Sequence, residues 1–184
     1  MEVSASPILQ GYNDYQVRLQ VEKEYEQLVK TLLDQHLTIT TMESCTGGLI
    51  ASLITDVSGA SEILKGAFVT YSNEAKIIQG VPINVINKYG VYSKETAVAM
   101  AHACKNAYHS DIGIGITGSI GRVDPANKDS VKGVIYYAID TPKGVVTNRD
   151  TLPDIDRITG KYMIADSIAR DILSSFLYSS LSDW

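Results

Sequence analysis

The feature that most constrains the fold is an apolar, β-branched run that ends in a tight turn and continues at once as a helix. The run covers residues 37–42 (LTITTM) and has the composition of a buried strand. Residues 49–57 then carry apolar side chains at helical spacing. The residues between them must therefore form a short strand-to-helix turn, which is a unit of α/β folds.

The same alternation continues along the chain. Helical patterns are expected at 15–35, 74–78, 82–89, 94–107 and 156–178, and strand patterns at 65–71, 111–117, 133–139 and 145–149. Alternating elements favour parallel strands with helices on both faces, and the late strands form a hairpin. We therefore predict a three-layer α/β/α sandwich with a mixed, mostly parallel central sheet and a C-terminal hairpin and helix.

Domain organisation is simple in this reading. Residues 1–12 have no clear period and are expected to be a loose lead-in, and residues 13–184 are expected to form a single domain. Gly113 and Gly115 alternate with larger residues in the third strand, which indicates that another element packs closely there. Asn73 and Ser93 are expected to cap helices.

Charge and composition exclude several classes of function. The net charge of −5 and the scattered Lys and Arg residues argue against a nucleic-acid partner. No apolar run has the length of a membrane span, and the first residues lack the pattern of a signal peptide, so a cytoplasmic location is expected. Cys45 and Cys104 form no disulfide framework, and no set of residues has metal-ligand spacing, so no metal and no cofactor are expected.

The turn at residues 43–48 (ESCTGG) is the first candidate site. It places the Ser44 hydroxyl beside backbone N–H groups at a helix N-terminus, where negative charge is favoured. A nucleophile and an anion cradle would thus come together. In the alternative interpretation, Ser44 or Thr46 is only a helix cap, and Gly47 and Gly48 only close the turn. Cys45 is a second conceivable nucleophile.

A serine nucleophile needs a base, and Lys76 is the best candidate. It lies one helical turn beyond the end of the second predicted strand, and burial would lower its pKa toward neutrality. Tyr71 could share the proton, and Glu43 could orient Lys76 or accept amides of the turn. The alternatives are a solvated lysine and a core tyrosine. The glycines do not form a phosphate loop of the Gly-Lys-Ser/Thr type, which disfavours nucleoside triphosphate hydrolysis.

Several stretches together resemble the nicotinamide-nucleotide amidohydrolases, the proteins similar to the C-terminal domain of the competence/damage-inducible protein CinA. The matching stretches are residues 43–48 (ESCTGG), 55–61 (TDVSGAS), 66–76 (GAFVTYSNEAK), 80–82 (GVP), 89–93 (YGVYS), 117–118 (TG), the strand from 133, and 156–157 (DR). The likeness extends from about residue 15 to the end of the chain.

The resemblance implies an amidohydrolase that converts nicotinamide mononucleotide to nicotinic acid mononucleotide and ammonia without a metal. It implies Ser44 as nucleophile, Lys76 as base and Tyr71 as its assistant. Amides around 46–48 would hold the oxyanion. It further implies a substrate pocket formed by Glu43, Thr46, Gly47, Gly48, Asn73, Thr117, Gly118 and Arg157.

Three cations are candidates for the phosphate of such a substrate, namely Arg157, Arg122 and Lys128. The resemblance also implies a homo-oligomer, a dimer or larger, in a stand-alone form without a fused N-terminal domain.

The chain departs from the family in one loop. Residues 119–132 (SIGRVDPANKDSVK) replace a Gly/Pro-rich loop, and most of the glycines are lost. Since glycines allow a backbone to approach a ligand closely, this change could alter the substrate or close the pocket. The alternatives to the amidase are therefore a non-catalytic nucleotide-binding or regulatory protein and a hydrolase of another small amide.

Overall fold

A computed structural model describes residues 7–177 of the chain, with the side chains of residues 15–176. The helices are α1 (Pro7–Asp34), α2 (Leu49–Thr55), α3 (Ala60–Ile63), α4 (Asn73–Ile78), α5 (Ile83–Tyr89), α6 (Lys94–Tyr108) and α7 (Arg157–Leu177). The strands are β1 (Ile39–Glu43), β2 (Leu64–Val69), β3 (Ile112–Gly118), β4 (Val134–Thr141) and β5 (Gly144–Thr151). None of the helices in this part of the chain is both long and apolar enough to cross a membrane.

The five strands form one sheet in the order β2-β1-β3-β4-β5. β1 pairs in parallel with β2 and β3, whereas the β3–β4 and β4–β5 pairs are antiparallel. Four strands therefore run in one direction and only β4 runs in the other. This confirms the predicted mixed sheet with a late hairpin.

Two hydrophobic layers cover the sheet and confirm the three-layer prediction. On one face, α1, α2 and α7 pack against the isoleucines of β3. On the other face, α6, Val81 and Ile86 of α5 pack around Met42 of β1. The alternation of side chains along a strand explains this division, because Ile112, Ile114 and Ile116 point to one face and the intervening glycines to the other.

The glycines of β3 allow α6 to approach the sheet closely. A Cβ on Gly115 would lie 2.1 Å from the carbonyl oxygen of Ala97, and one on Gly113 would lie 2.3 Å from that of Ala101. These distances are shorter than any real contact, so both positions require glycine. The close packing expected from the alternating small residues is confirmed.

The register brings three strand ends together. Glu43, the last residue of β1, pairs with Val69 of β2 and with Ile116 of β3. The residues that follow, Ser44 and Thr70, lie beside each other at the carboxyl edge of the sheet. In open α/β sheets this edge is where ligands bind.

Two local expectations differ from the structure. α1 begins at Pro7, so the lead-in expected at 1–12 is helical from that residue, because proline fits the first turn of a helix, where its missing N–H is not needed. Residues 1–6 and Tyr178, the expected end of the last helix, lie outside the described residues. Ser72, not Asn73, caps α4, and its side chain accepts the N–H of Ala75. Ser93 caps α6 as predicted.

Candidate active site

Ser44 and Lys76 are in direct contact at the carboxyl edge of the sheet. Ser44 follows β1, and its N–H donates to the carbonyl of Ile116 at 3.1 Å. The Lys76 Nζ lies 3.2 Å from the Ser44 Oγ. Ser44 is 5% exposed and Lys76 only 1% exposed. A hydroxyl and an amine are thus paired with little exposure to solvent.

Main-chain oxygens hold the buried amine in place. The Lys76 Nζ donates to the carbonyl of Thr70 at 2.8 Å and to that of Ser72 at 3.5 Å. None of the ion pairs among the described residues involves Lys76. Burial lowers the pKa of Lys76 from 10.5 to about 8. A substantial neutral fraction is therefore present near physiological pH, and the neutral amine can accept a proton.

Glu43 organises the turn and does not line the cleft. Its fully buried carboxylate accepts the N–H groups of Gly48 at 2.9 Å, Ile50 at 3.2 Å and Ala51 at 3.0 Å. It also accepts the hydroxyl of Thr41 at 3.1 Å. The carboxylate thus caps the N-terminus of α2 and complements its dipole. Of the roles expected for Glu43, the structure shows the acceptance of turn amides, and its oxygens do not line the cleft.

Two amides of the turn are already used in hydrogen bonds within the protein. Gly47 donates its N–H to the Ser44 carbonyl at 3.1 Å, and Gly48 donates to Glu43, so neither is available for an oxyanion. The amides of Cys45 and Thr46 take no part in these bonds. The N-cap residue of α2 is Gly48 and not Ser44 or Thr46. The alternative in which one of those two residues only caps this helix is therefore wrong.

Cys45 is a poor nucleophile in this environment. It is buried, and burial raises the pKa of its thiol to about 12. Because the thiolate is the reactive form, the thiol is almost entirely protonated at neutral pH.

A cleft of about 430 Å³ opens above Ser44. It is lined by Ser44, Cys45, Tyr92, Arg157 and residues 71–74, 118–120 and 122–127. Most of the loop that differs from the family (residues 119–132, the divergent loop) thus forms one wall of the cleft. A ligand that contacts Ser44 would lie beside this wall.

Hydrogen bonds fix this loop in place. The Tyr92 hydroxyl donates to the Asp124 Oδ2 at 2.6 Å, and the side chain of Asn127 donates to the same oxygen at 2.6 Å. Asn73 in turn donates to the Asn127 side-chain oxygen at 2.9 Å, which joins the loop to α4. The loop therefore borders the cleft and does not fill it.

Tyr71 lies at the rim of the cleft, away from the buried pair. It is 66% exposed, and its hydroxyl accepts a hydrogen bond from the Arg157 guanidinium at 3.2 Å. Arg157 also donates to the Ile120 carbonyl at 2.6 Å. Among the described residues, Tyr71 makes no hydrogen bond with Ser44 or Lys76, so the structure does not bring the predicted trio together as one unit.

The remaining predicted substrate residues divide into two groups. Asn73, Gly118 and Arg157 line the cleft. The residues that do not line it are Thr46, Gly47, Gly48 and Thr117. Thr117 is fully buried and donates its hydroxyl to the Val91 carbonyl at 2.9 Å, on the same face of β3 as Gly113 and Gly115.

Of the other phosphate candidates, Arg122 lines the cleft, whereas Lys128 is exposed on the loop outside it. No group of three or more His, Cys, Asp and Glu side chains converges within residues 15–176 in a way that would hold a metal ion.

Three residues of the site region were not predicted from the sequence. Tyr92 and Asp124 meet across 32 residues of chain, for which the sequence carries no signal. Lys161 lies beside the turn at residues 43–48, with its Nζ 3.3 Å from where a Cβ on Gly47 would be. Its spacing was a usable signal, because Lys161 follows Arg157 by four residues and so lies on the same face of α7.

Comparison with known protein families gives a match over most of the chain. The model of the CinA C-terminal domain family matches residues 21–170. A CinA-like protein of Flavobacterium psychrophilum is 41% identical over 123 residues, which cover 66% of this chain and 29% of that protein. A CinA-like protein of Prochlorococcus marinus is 40% identical over 122 residues, covering 66% and 28%. The chain thus spans less than a third of the length of these relatives.

Solved structures show the same fold. The competence/damage inducible protein CihA from Agrobacterium tumefaciens superposes with a TM-score of 0.77 at 26% identity, covering 84% of this chain and 94% of that one. A competence-damaged protein (CinA) superfamily protein from Enterobacter cloacae has a TM-score of 0.78 at 21% identity, covering 84% and 91%.

Proposed function

This chain belongs to the family of the CinA C-terminal domain, and from that premise we propose that it hydrolyses the carboxamide of nicotinamide mononucleotide, releasing ammonia and nicotinic acid mononucleotide. The observation that carries the proposal is the 3.2 Å contact between the buried Lys76 Nζ and the Ser44 Oγ. A serine paired with a desolvated lysine is an activated nucleophile suited to acyl transfer from an amide.

In the first half of the reaction, neutral Lys76 accepts the proton of the Ser44 hydroxyl as Oγ attacks the carboxamide carbon. With a pKa of about 8, roughly one tenth of the lysine is neutral at pH 7. The carbonyl oxygen becomes an oxyanion, and the proposed main-chain donor is the N–H of Cys45, the residue of the turn that lines the cleft beside Ser44. One such donor typically contributes about 3–4 kcal/mol.

In the second half, the ammonium of Lys76 returns its proton to the departing nitrogen, and ammonia leaves as the C–N bond breaks. Water then attacks the acyl-serine and gives a proton to Lys76. As the bond between the acyl carbon and Oγ breaks, Lys76 returns that proton to Oγ, which regenerates Ser44 and releases the carboxylic acid. No metal or cofactor takes part in the proposed reaction, because the hydroxyl and amine supply both nucleophile and proton acceptor.

Cations around the cleft support a phosphate-bearing substrate. Arg157 and Arg122 line the cleft. Lys161 lies beside the turn at Gly47, one helical turn from Arg157. Guanidinium groups bind phosphate through paired hydrogen bonds. We propose Arg157 as the main phosphate contact, assisted by Lys161 and Arg122.

The test is ammonia release from nicotinamide mononucleotide by the wild-type protein and by two variants. Ser44→Ala is expected to lose at least about 10³-fold in turnover, because it removes the nucleophile. Cys45→Ala is the matched control and is expected to keep activity within a few fold. The proposal would be contradicted if the wild type released no ammonia but bound nicotinamide mononucleotide as tightly as Ser44→Ala does. That result would favour a nucleotide-binding regulatory protein. Ammonia release from another small amide instead would show that the protein hydrolyses that amide.

A further inference from the structure

A carboxylate forms part of the cleft wall that the family resemblance does not account for. Asp124 lies in the divergent loop, lines the cleft and is only partly exposed. Its Oδ2 accepts the Tyr92 hydroxyl and the Asn127 amide, each at 2.6 Å, and its Oδ1 accepts the Ala126 N–H at 2.9 Å. These donors favour the ionised form, and the bond from Tyr92 is the largest cause of the lowered pKa of Asp124.

The Asp124 carboxylate has no directly contacting cation in the described part of the chain, although the more distant Lys76 amine contributes to its lowered pKa. The ion pairs among the described residues do not include Asp124. Arg157, in the same cleft, instead donates to the Ile120 carbonyl and the Tyr71 hydroxyl. The cleft thus holds two carboxylates, the exposed Glu74 and the partly exposed Asp124, beside the guanidinium groups of Arg122 and Arg157. Asp124 and Arg157 are each held in place by neutral hydrogen-bond partners. Such a cleft is complementary to a ligand that itself carries both charges.

We propose that Asp124 is a specificity-determining residue that selects ligands whose carboxamide is borne on a cationic aromatic ring. The inference rests on the proposed function, since the ring of nicotinamide mononucleotide is a pyridinium cation and its phosphate is anionic. The carboxylate attracts the ring charge, and the Tyr92 ring in the same wall is an aromatic surface on which a cation is favoured. The divergent loop therefore sharpens the selection for a charged ring and does not abolish the pocket.

A pair of ligands isolates the ring charge. Oxidised nicotinamide mononucleotide has the cationic ring, and its reduced dihydro form has the same amide, ribose and phosphate with a neutral ring. Dissociation constants are measured by calorimetry in the Ser44→Ala protein, where turnover does not interfere. We expect the oxidised form to bind about tenfold more tightly, the effect of one partly screened charge pair.

Three variants in the Ser44→Ala background separate charge from structure. Asp124→Asn keeps the acceptor oxygen for Tyr92 and should reduce the preference to within about twofold, while binding of the reduced form stays unchanged. Asp129→Asn removes the same charge from the same loop but outside the cleft lining, and should keep the preference. Tyr92→Phe removes a loop hydrogen bond but leaves the Asp124 charge, and should also keep it.

Equal weakening of both ligands by Asp124→Asn would show that the residue only holds the loop and would overturn the inference. An unchanged preference in Asp124→Asn would overturn it as well, as would failure of both ligands to bind. The proposed function is read separately, by ammonia release from the oxidised form by the wild-type protein. A ring-charge preference without ammonia release would refute hydrolysis and leave Asp124 as a determinant of binding.

Discussion

The Glu43 carboxylate accepts the backbone N–H of Gly48 at 2.9 Å and so joins the end of β1 to the start of α2. It satisfies two further amides of α2. Replacing Glu43 with Gln removes the charge and turns an NH₂ group toward N–H donors. We expect a loss of about 2–4 kcal/mol in the free energy of unfolding, measured by urea denaturation.

The control for this prediction is Glu62→Gln. Glu62 lies in the first turn of α3 but is exposed, so its replacement should change stability by no more than about 0.5 kcal/mol. If Glu43→Gln were as stable as the wild type, the amides of the turn would have to find other partners.

Tyr71→Phe is expected to affect substrate binding more than the chemical step. Its hydroxyl contacts Arg157, the proposed phosphate ligand, and not Ser44 or Lys76. We expect KM to rise about two- to fivefold with kcat nearly unchanged, since one exposed hydrogen bond is lost. Tyr89→Phe, a change at an exposed tyrosine outside the cleft, should leave both parameters as they are. A large fall in kcat would instead show that the Tyr71 hydroxyl takes part in proton transfer.

The rate of hydrolysis should depend on the protonation of Lys76. Because only the neutral amine accepts the Ser44 proton, kcat/KM should rise with pH below about 8 and level off above it. The measurement is a pH profile of ammonia release from pH 6 to 9.5, at constant ionic strength. Asp124→Asn removes a negative charge that favours the protonated amine, so its profile should move to lower pH. A flat profile across this range would argue against Lys76 as the base.

The free energy of unfolding should also depend on the titration of Lys76, and it can be measured without an activity assay. The pKa of Lys76 is about 8 in the folded protein and 10.5 when unperturbed, so between these values the unfolded chain binds more protons. The contribution of Lys76 to folding therefore improves as pH rises from 8 to 10.5 and is constant below 8. The difference in unfolding free energy between the wild type and Lys76→Met should shift by about 3 kcal/mol in favour of the wild type over this range. An unchanging difference would mean that the amine is not desolvated.

Gly115→Ala should be strongly destabilising, by more than about 3 kcal/mol. The added Cβ would lie 2.1 Å from the Ala97 carbonyl, so α6 would have to move away from β3. The comparison is Gly144→Ala in the hairpin, where nothing lies within 4 Å and only a positive φ of 127° opposes the change. That variant should lose about 1 kcal/mol. Thermal unfolding of both proteins checks the prediction.

Much of the fold is predictable because local patterns decide it. The strand–turn–helix unit around residues 37–57 and the cap at Ser93 follow from hydrophobic period and capping chemistry. The alternating glycines at 113 and 115 indicate close packing before the partner helix is known. The start of α1 is missed because residues 7–14 have no apolar period to distinguish a helix from a loop.

The candidate site is predictable only where the register of the sheet determines it. Ser44 and Lys76 meet because parallel neighbouring strands end at the same edge, so their contact follows from topology. Glu43 could face either the cleft or the helix, and only the three-dimensional path of the turn decides between them. The contact between Tyr92 and Asp124 depends on how a long loop folds back, which no local preference encodes.

The supports of the buried pair have a further consequence for how sequences of this family can diverge. Lys76 is held by the carbonyl oxygens of Thr70 and Ser72, and Glu43 is held largely by main-chain amides. Every residue type supplies a carbonyl, and every residue except proline supplies an amide N–H. The neighbours of Lys76 and Glu43 can therefore be replaced without loss of these contacts, provided that the backbone keeps its path. These contacts with Lys76 and Glu43 should therefore survive side-chain replacement at the supporting positions, whereas replacement of Lys76 or Glu43 itself removes them.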